Sequence, residues 1–450
     1  MSSYKKPIIF LLIGLSLAAL FLSLDLDEIS KLFLLALFCI FALAGFKPKL
    51  GLFILIIARP CLDILTNKPI IITNSFNLNL ASLFAISVII FSAVILIKYL
   101  PKINTLPLKY NWLAFIIIVL FSAFLSYNHY LSLAESLRLL SILAIYYLSY
   151  FLLKNERDLR NLIKAIIASA LIPSFFALWQ FYTDTGLTVP FEGIYNRIYG
   201  TFAHPNLLAY YLVLPLILSL FLFLSGKRKQ INSLVYFLLS IFLVIILTLT
   251  FTRGAWLSFI IIILIIGTLY YRSLLFASLI FMALAYFLIG PINSRVNDLI
   301  SNRSDSSIEW RLNLWHDAKE YIKEKPLLGY GTGVANDLIL TRRGEEFGSS
   351  DPHNDYLKIT IENGLIGLLA YGLLLIGLIS RLIKEYLNVN RTQIKTLIII
   401  AIGLSTAFFT MSAADNILRN TALMWSFWAL MGAIFMIENK TEKAPSSRLQ

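Results

Sequence analysis

Cysteine and charge are both scarce in this sequence of 450 residues. It has two cysteines, Cys39 inside an apolar run and Cys61 next to a proline. They cannot build a disulfide framework or a zinc cluster, so both are interpreted as packing residues. Charged residues make up 14% of the chain, whereas 58% is hydrophobic and the mean hydropathy is +0.79. This leaves too little polar surface to cover a soluble globule, and it predicts a membrane protein.

Apolar stretches recur along the chain, each long enough to cross the hydrocarbon layer, which takes roughly 17–25 residues. They begin near Pro7, Lys31, Leu50, Leu80, Asn111, Ala134, Leu159, Pro205, Ile231, Ala255, Ser273, Gly364, Ile394 and Thr421. The sequence therefore predicts an all-α polytopic membrane protein with about 14 transmembrane helices, within a range of about 12–14.

One long polar segment interrupts the series of apolar stretches. Counted as apolar spans, about eleven transmembrane helices are predicted in 1–290 and about three in 355–437. Residues 291–354 form the long loop between them, and 438–450 form a polar tail.

The orientation follows from lysine and arginine, which are disfavoured in short translocated loops. They gather in alternate loops, from Lys5 and Lys6 through Lys227, Arg228 and Lys229 to Lys440. This predicts that both termini are cytoplasmic and that the long loop is extracytoplasmic. Because the net charge of +13 is spread over short clusters rather than one patch, it does not indicate nucleic-acid binding.

The long loop contains one predicted amphipathic helix. Ser306 to Glu309 fits a capping box, in which the two end side chains satisfy backbone donors at a helix start. Apolar residues then recur at helical spacing up to Ile322, and Lys325 with Pro326 ends the helix. We expect this helix to lie on the membrane or on the protein surface.

Five arginines on the extracytoplasmic side are candidate ligands of an anion. An ionisable side chain near bilayer depth costs several kcal/mol unless it is paired or solvated. Arginine also presents a planar fork of donors that matches phosphate oxygens, so a cluster of arginines suits a diphosphate. For one of them, Arg59, an anchor at a helix end is the alternative interpretation. The five are Arg59, Arg138, Arg197, Arg253 and Arg311.

The strongest local signal lies where the long loop re-enters the membrane, in the run from Asp351 to Leu357. It contains His353, one of four histidines, followed by Asn354 and Asp355. An imidazole exchanges protons near neutral pH, so it can accept the proton of a hydroxyl group. A helix-capping or surface histidine is the alternative.

Two other patterns are given less weight. The glycines of 329–333 lack the spacing of a nucleotide-binding fingerprint, and they are interpreted as a turn. Glu135 and Arg138 lie three residues apart on one helical face, which suits either a proton relay or a simple ion pair.

The motifs of the C-terminal half resemble the O-antigen ligase and polymerase superfamily, which assembles bacterial surface glycans. The resemblance rests on the order and placement of several short motifs. They are Arg197 to Phe202 with Pro205 and Asn206; Thr252 to Leu257; Trp310, Arg311 and Trp315; Pro326 to Gly331; His353 to Leu357; and Glu362 to Gly364.

This resemblance implies a GT-C-type fold and a glycan donor linked to undecaprenyl diphosphate. It also implies that glycan transfer needs no nucleotide sugar, no metal and no other cofactor. By resemblance, His353 is the general base, and Arg253 and Arg311 bind the diphosphate. Arg197 also binds the diphosphate by resemblance, although it matches the family's motif less well. Possible supporting residues are Arg59, Arg138, Asn354 and Asp355.

Three functions follow as alternatives. The favoured one is an inverting, metal-independent glycosyltransferase, an O-antigen ligase that moves a glycan to a lipid A-core hydroxyl on the periplasmic face of the bacterial inner membrane. The ligase is favoured because Arg342 and Arg343 would attract phosphorylated sugars, unless they pair with nearby Glu345 and Glu346. The second is a polymerase that joins lipid-linked repeat units. The third, a transporter, is disfavoured because its site usually lies near the membrane midplane.

Overall fold

The computed structural model describes residues 45–65, 69–72, 77–187, 196–226, 231–288, 307–343 and 350–441, and the single positions 290, 293 and 297. Most of these residues are helical. The α-helices in chain order are α1 (Pro48–Cys61), α2 (Leu80–Leu96), α3 (Lys109–Phe124), α4 (His129–Leu152), α5 (Glu156–Ser169), α6 (Leu171–Thr183), α7 (Pro205–Ser225), α8 (Ile231–Leu249), α9 (Arg253–Leu269), α10 (Arg272–Leu288), α11 (Ser307–Glu324), α12 (Ala335–Arg343), α13 (Asp355–Asn388), α14 (Thr392–Met411) and α15 (Thr421–Thr441).

The described helices agree with a polytopic membrane protein. Seven helical segments of the described part are long and apolar enough to cross a membrane, and several others are apolar but shorter. The predicted spans near Pro7 and Lys31 lie outside the described residues. Every other predicted span falls on a helix, and α15 continues to Thr441, past the predicted boundary at 437.

Two features of the fold were not predicted from the sequence. A short antiparallel hairpin pairs β1 (Pro69–Ile72) with β2 (Asn77–Asn79). The long loop also contains the nine-residue helix α12 besides the predicted one. Both are too short to give a clear hydrophobic period in the sequence.

The described residues group into two compact units. Unit 1 draws on Met1–Pro107, Leu137–Ala170 and Met424–Gln450, and unit 2 on Leu108–Ser136 and Leu171–Leu423. The C-terminal motifs from Arg197 onward therefore belong to unit 2.

Unit 1 is held together by helix packing and by polar contacts between its helices. Helix α1 packs on α5, and Lys49 Nζ lies 2.6 Å from Asp158 Oδ2. The buried Ser149 hydroxyl donates to the Ala429 carbonyl at 2.5 Å. A buried hydroxyl needs such a partner, since leaving it unpaired costs about 1–3 kcal/mol.

Unit 2 is built from pairs of packed helices. Helix α7 packs on α8, α9 on α14, and α13 on α3. Between α3 and α13, the rings of Phe115 and Tyr371 are 5.3 Å apart, and Asn111 Nδ2 donates to the Leu373 carbonyl at 2.9 Å. This packing supports the loops that connect the helices.

The predicted loop helix is α11, and it lies on the protein. Leu314 and Ala318 are fully buried, in a cluster with Ile339 of α12 and Ile361 of α13. The side chain of Trp315 packs against the same cluster. The apolar side of α11 therefore faces α12 and α13.

Helix α13 is broken at Gly364, where the sequence predicted a membrane span to begin. Gly364 has a φ of +65°, and a Cβ there would collide with the carbonyl oxygen of Leu327. Only glycine adopts this conformation without a steric cost. The next amide, of Leu365, donates to the Pro326 carbonyl at 2.8 Å. The break thus separates a first helical segment, 355–363, from the long apolar segment that follows.

The glycines of 329–333 form a turn, as predicted, and the turn covers the broken helix. The amides of Tyr330 and Gly331 donate to the carbonyls of Ile361 and Glu362, each at 2.9 Å. Carbonyls at a helix end lack partners within the helix, so these bonds replace the missing ones. The turn fixes the orientation of the first segment of α13, which starts next to His353.

Candidate active site

His353 lies immediately before α13, in a turn fixed by its neighbours. The Asn354 side chain caps α13 by accepting from the amides of Tyr356 and Leu357, at 3.0 and 3.1 Å. His353 itself has a φ of +47°. A non-glycine residue held at positive φ costs roughly 1–3 kcal/mol, and such strain clusters at functional sites.

The imidazole of His353 is held by Asp415, in the 412–420 loop between α14 and α15. His353 Nδ1 lies 3.2 Å from Asp415 Oδ1, and both side chains are largely buried, with 20% and 12% exposed. A carboxylate can only accept, so the bond forms when Nδ1 carries the proton. That tautomer makes Nε2 the basic nitrogen of the ring.

Asp415 remains an anion in this site. Burial raises its pKa, but the hydrogen bond and charge of His353 and the charge of Arg311 outweigh burial, and the pKa of Asp415 is lowered. An anionic Asp415 favours the positive charge that the imidazole would gain on taking up a proton.

A chain of hydrogen bonds leads from Asp415 to Arg197. Asp415 Oδ2 accepts from Asn206 Nδ2 at 2.7 Å, and Asn206 Oδ1 accepts from Arg197 Nη2 at 2.8 Å. Arg197 also donates to the Thr250 carbonyl at 2.9 Å and to the Thr252 hydroxyl at 3.0 Å. The chain joins the start of α7 and the start of α9 to the carboxylate behind His353.

Arg197 is buried, with 6% of its surface exposed, and its guanidinium donates to protein acceptors. This geometry favours a positioning role for Arg197 over direct contact with a diphosphate. Its proposed role as a diphosphate ligand therefore has less support than those of Arg253 and Arg311.

Replacing Arg197 by glutamine should destabilise the protein. The change removes the charged donor of buried hydrogen bonds to Asn206, Thr250 and Thr252, which should lower the free energy of unfolding by about 3 kcal/mol. Unfolding of the purified protein in detergent measures this, with exposed Arg157→Gln as a control that should change it by less than about 0.5 kcal/mol. Unchanged stability together with lost substrate binding would instead make Arg197 a direct ligand.

Arg253 is the first residue of α9, directly after the N-cap Thr252. A helix N-terminus carries partial positive charge and exposed amide donors, so a cation placed there is unfavourable unless an anion is bound nearby. Beside it, Gly254 lets the Tyr210 phenol approach so closely that a Cβ would collide with it. The start of α9 is thus a positively charged position that suits an anionic ligand.

Arg311 projects from α11 toward the 412–420 loop. Its Nη1 donates to the Ala414 carbonyl at 2.8 Å, next to Asp415. On the same helix, Trp315 Nε1 donates to the Pro352 carbonyl at 2.8 Å, next to His353. The loop helix is therefore bonded to both of the loops that form the His353–Asp415 pair.

Two further aspartates fix the two loops to each other. The Asp355 amide donates to the Ser412 carbonyl at 2.8 Å, and Asp355 Oδ2 accepts from the Leu418 amide at 2.9 Å. Asp351 Oδ1 accepts from the side-chain amide of Asn416. Asn354 and Asp355, predicted as supporting residues, thus shape the turn that carries His353.

Arg59 and Arg138 belong to unit 1. Arg59 is buried, pairs with Asp63 at 2.5 Å, and lies 6.0 Å from the ring centroid of Trp425. The charge of Arg59 is therefore paired locally, with the carboxylate of Asp63. Arg138 contributes its carbonyl to the Ser141 hydroxyl at 2.6 Å.

Glu135, considered with Arg138 as an ion pair, has a partner on α13. Lys358 Nζ lies 3.9 Å from Glu135 Oε1 and 3.9 Å from Glu362 Oε1. Lys358 thus lies between two carboxylates, and the two interpretations of Glu135 with Arg138 stay predictions.

Sequence reasoning missed Asp415 and Asn206. Asp415 stands just after the apolar run of α14, and an ionisable residue at that depth is itself a functional signal. Asp415 is acidic, so it does not stand out among candidate ligands of an anion. Asn206 was noted only as part of a motif, because an asparagine after a proline at a helix start has an ordinary capping interpretation.

Comparison with known proteins supports the motifs. Residues 237–372 match the family described as O-antigen ligase. An uncharacterised protein of Haemophilus influenzae is 24% identical over 300 residues, which cover 60% of this chain and 72% of that protein. The ComP-specific O-oligosaccharyltransferase of Acinetobacter baylyi is 26% identical over 301 residues, covering 61% of this chain and 53% of that enzyme. A Rickettsia conorii protein provisionally named a polysaccharide ligase is 30% identical over 95 residues, 19% of this chain and 22% of that protein.

The matched region, 237–372, contains Arg253, Arg311 and His353, three of the residues from which the resemblance was drawn. The resemblance of this chain to the O-antigen ligase and polymerase superfamily is therefore confirmed.

Proposed function

We propose that this protein is an O-antigen ligase-like glycosyltransferase. It transfers a glycan from an undecaprenyl-diphosphate carrier to a hydroxyl group of lipid A-core, on the periplasmic face of the bacterial inner membrane. The observation that carries the proposal is the His353–Asp415 pair, joined to Asn206 and bordered by Arg311.

His353 acts as the general base. Its Nε2 takes the proton of the acceptor hydroxyl while Asp415, at Nδ1, stabilises the imidazolium that forms. The hydroxyl oxygen then attacks the anomeric carbon of the donor glycan from the side opposite the diphosphate. A new carbon–oxygen bond forms as the bond to the diphosphate breaks, so the anomeric configuration is inverted.

Arg253 and Arg311 bind the diphosphate, which leaves with the electron pair of the broken bond. Negative charge grows on its oxygens during this step, and guanidinium groups fixed beside it lower the barrier. The amides at the start of α9 add to this field next to Arg253. Because the diphosphate is a good leaving group and the arginines neutralise it, the proposed reaction uses no metal or other cofactor.

The proposed membrane arrangement has about 14 transmembrane helices in a GT-C-type fold, counted from the apolar spans. Both termini and the Lys227 to Lys229 loop, which lies outside the described residues, face the cytoplasm. The long loop and His353 face the periplasm. The alternation of basic loops supports this orientation.

A polymerase that joins two lipid-linked glycans remains the second candidate, because the same base and arginines would serve either acceptor. In the sequence, Arg342 and Arg343 favour a ligase as contacts for a phosphorylated acceptor. The Arg342 guanidinium carbon lies 5.4 Å from the Tyr321 ring centroid, so the Arg342 side chain makes a cation–π contact within the protein. The Arg343 side chain, Glu345 and Glu346 lie outside the described residues.

Purified protein incubated with a labelled undecaprenyl-diphosphate repeat unit, with and without lipid A-core, tests the proposal. A ligase should convert lipid A-core into a glycosylated product and form nothing in its absence. A ladder of lengthening repeats without lipid A-core would replace the ligase by the polymerase. Absence of both products, with intact folded protein, would reject glycan transfer itself.

A further inference from the structure

The 412–420 loop carries one charged residue that the proposed reaction does not use, Arg419. Its side chain is 54% exposed, whereas its two neighbours, Leu418 and Asn420, are buried. An exposed guanidinium between buried residues is directed out of the protein by the loop itself.

The backbone on both sides of Arg419 is fixed. The Leu418 amide donates to Asp355 Oδ2 at 2.9 Å, and Asn420 Nδ2 donates to the Leu207 carbonyl at 2.8 Å. These bonds attach the loop to the starts of α13 and α7. These contacts fix the backbone on both sides of Arg419, whereas its side chain extends to the surface.

The guanidinium has one side-chain partner among the described residues. Arg419 Nη1 lies 2.9 Å from Asp351 Oδ2. The other oxygen of Asp351 accepts from the His353 amide at 3.1 Å and from the Asn416 side chain. Asp351 is also close enough to buried Lys358 to be influenced by its charge. The carboxylate would therefore keep several favourable interactions if Arg419 turned away.

A purely structural role explains this pair poorly. Because the guanidinium of this ion pair is half-exposed, solvent screens its attraction to the carboxylate and reduces the contribution of the pair to stability. The two loops are already joined by the bonds of Asp355, Asn416 and Asp415. The Arg419–Asp351 contact adds little to that connection.

We propose that Arg419 is a further ligand of a substrate phosphate group, and that Asp351 holds its guanidinium when no phosphate is bound. The inference rests on the proposed function, since it assigns the phosphate of a lipid-linked sugar to this residue. When the phosphate arrives, Arg419 exchanges one carboxylate oxygen for phosphate oxygens, which its planar fork can bind in pairs.

Two substrates carry this chemistry. The donor brings a diphosphate, and a phosphorylated lipid A-core brings phosphate groups on its sugars. Arg419 lies on the loop that also carries Asp415 and Ala414, the contacts of His353 and Arg311. That loop borders the place where donor and acceptor meet, so either phosphate can reach it. Separate Michaelis constants for donor and acceptor identify the source.

The test compares Arg419→Gln, Arg419→Lys and Asp351→Asn, with Lys323→Gln as a control for loss of an exposed charge on the long loop. Lys323 is 72% exposed and paired only locally with Glu320. The Asp351→Asn variant keeps an acceptor oxygen for the His353 amide and for Asn416. It lacks the negative charge that attracts the Arg419 guanidinium. The readouts are KM for each substrate, kcat, and binding of farnesyl diphosphate as a soluble donor probe.

Arg419→Gln should raise KM for one substrate about tenfold, which is the loss of one charge-assisted contact, and change kcat by less than about threefold. Arg419→Lys should fall between glutamine and the wild type. Asp351→Asn should leave that KM unchanged or lower it, because it removes the competing anion. The control should match the wild type.

A structural clamp predicts a different pattern, in which Arg419→Gln and Asp351→Asn cause the same defect and the double variant is no worse than either. That pattern, or an unchanged KM for both substrates in Arg419→Gln, would overturn the inference and leave the proposed function standing. Wild-type protein that neither binds farnesyl diphosphate nor transfers glycan would reject the proposed function and the inference with it.

Discussion

Replacing His353 by alanine should lower the rate of glycan transfer by roughly 10²-fold or more, the usual contribution of a positioned general base. In the proposed reaction the imidazole takes the hydroxyl proton, and alanine would leave the acceptor to react as a neutral alcohol. Donor binding and protein level should be nearly unchanged, since the substitution leaves Arg253 and Arg311 in place. Initial rates of transfer with purified protein measure the effect.

Asp415→Asn is the companion variant. The amide oxygen can still accept from Nδ1, but the negative charge that stabilises the imidazolium is removed, so the rate should also fall, by about 10-fold or more. Combining it with His353→Ala should cost little beyond His353→Ala alone, because the two residues act as a unit. A near-wild-type rate in His353→Ala would exclude His353 from the mechanism, and additive losses in the double variant would separate the roles of the two residues.

Replacing Arg253 or Arg311 by alanine should lower the rate by about 10²–10³-fold each, as expected when a fixed donor to developing negative charge is removed. Lysine should recover part of the loss at each position, because the ammonium retains the charge but lacks the paired donors of the guanidinium. Exposed Arg157→Ala, in unit 1, provides a control with the same residue type.

Full activity of both lysine variants would contradict shaped recognition of the diphosphate, and it would leave the two arginines as general sources of positive charge. Full activity of an alanine variant would remove that arginine from the site. Binding of the lipid diphosphate, measured beside the rate, separates loss of affinity from loss of catalysis. Unfolding in detergent checks that each variant is folded.

Much of the fold was predictable because a membrane restricts the choice of structure. Backbone groups in lipid must bond internally, so long apolar runs become helices. The predicted starts at Pro205, Ile231 and Thr421 coincide with the starts of α7, α8 and α15. The start near Gly364 instead marks a break inside α13, because that glycine satisfies a close contact with the Pro326–Leu328 turn that only the folded chain reveals.

The site was predictable only in part. His353 stands out in the sequence as one of four histidines, and Arg311 as one of five arginines predicted on the extracytoplasmic side. The partner of His353 does not, since Asp415 is 62 residues away along the chain and the two meet only through the packing of α13 beside α14. Arg197 has the same charge as Arg311, yet it is buried and donates to several protein acceptors. The composition of the sequence and the spacing of its residues do not distinguish the surroundings of Arg197 from those of Arg311.

The fate of the diphosphate is the most direct test of the proposed glycan transfer. Wild-type protein is incubated with a lipid-diphosphate glycan and lipid A-core, and mass spectrometry quantifies the glycosylated acceptor and the released carrier in the same reaction. We predict equal amounts of glycosylated acceptor and released carrier, and a product with no phosphate between glycan and acceptor. We also predict an inverted anomeric configuration, and loss of both products in His353→Ala. A phosphate retained in the new linkage, or equal yields from wild type and His353→Ala, would contradict the proposal.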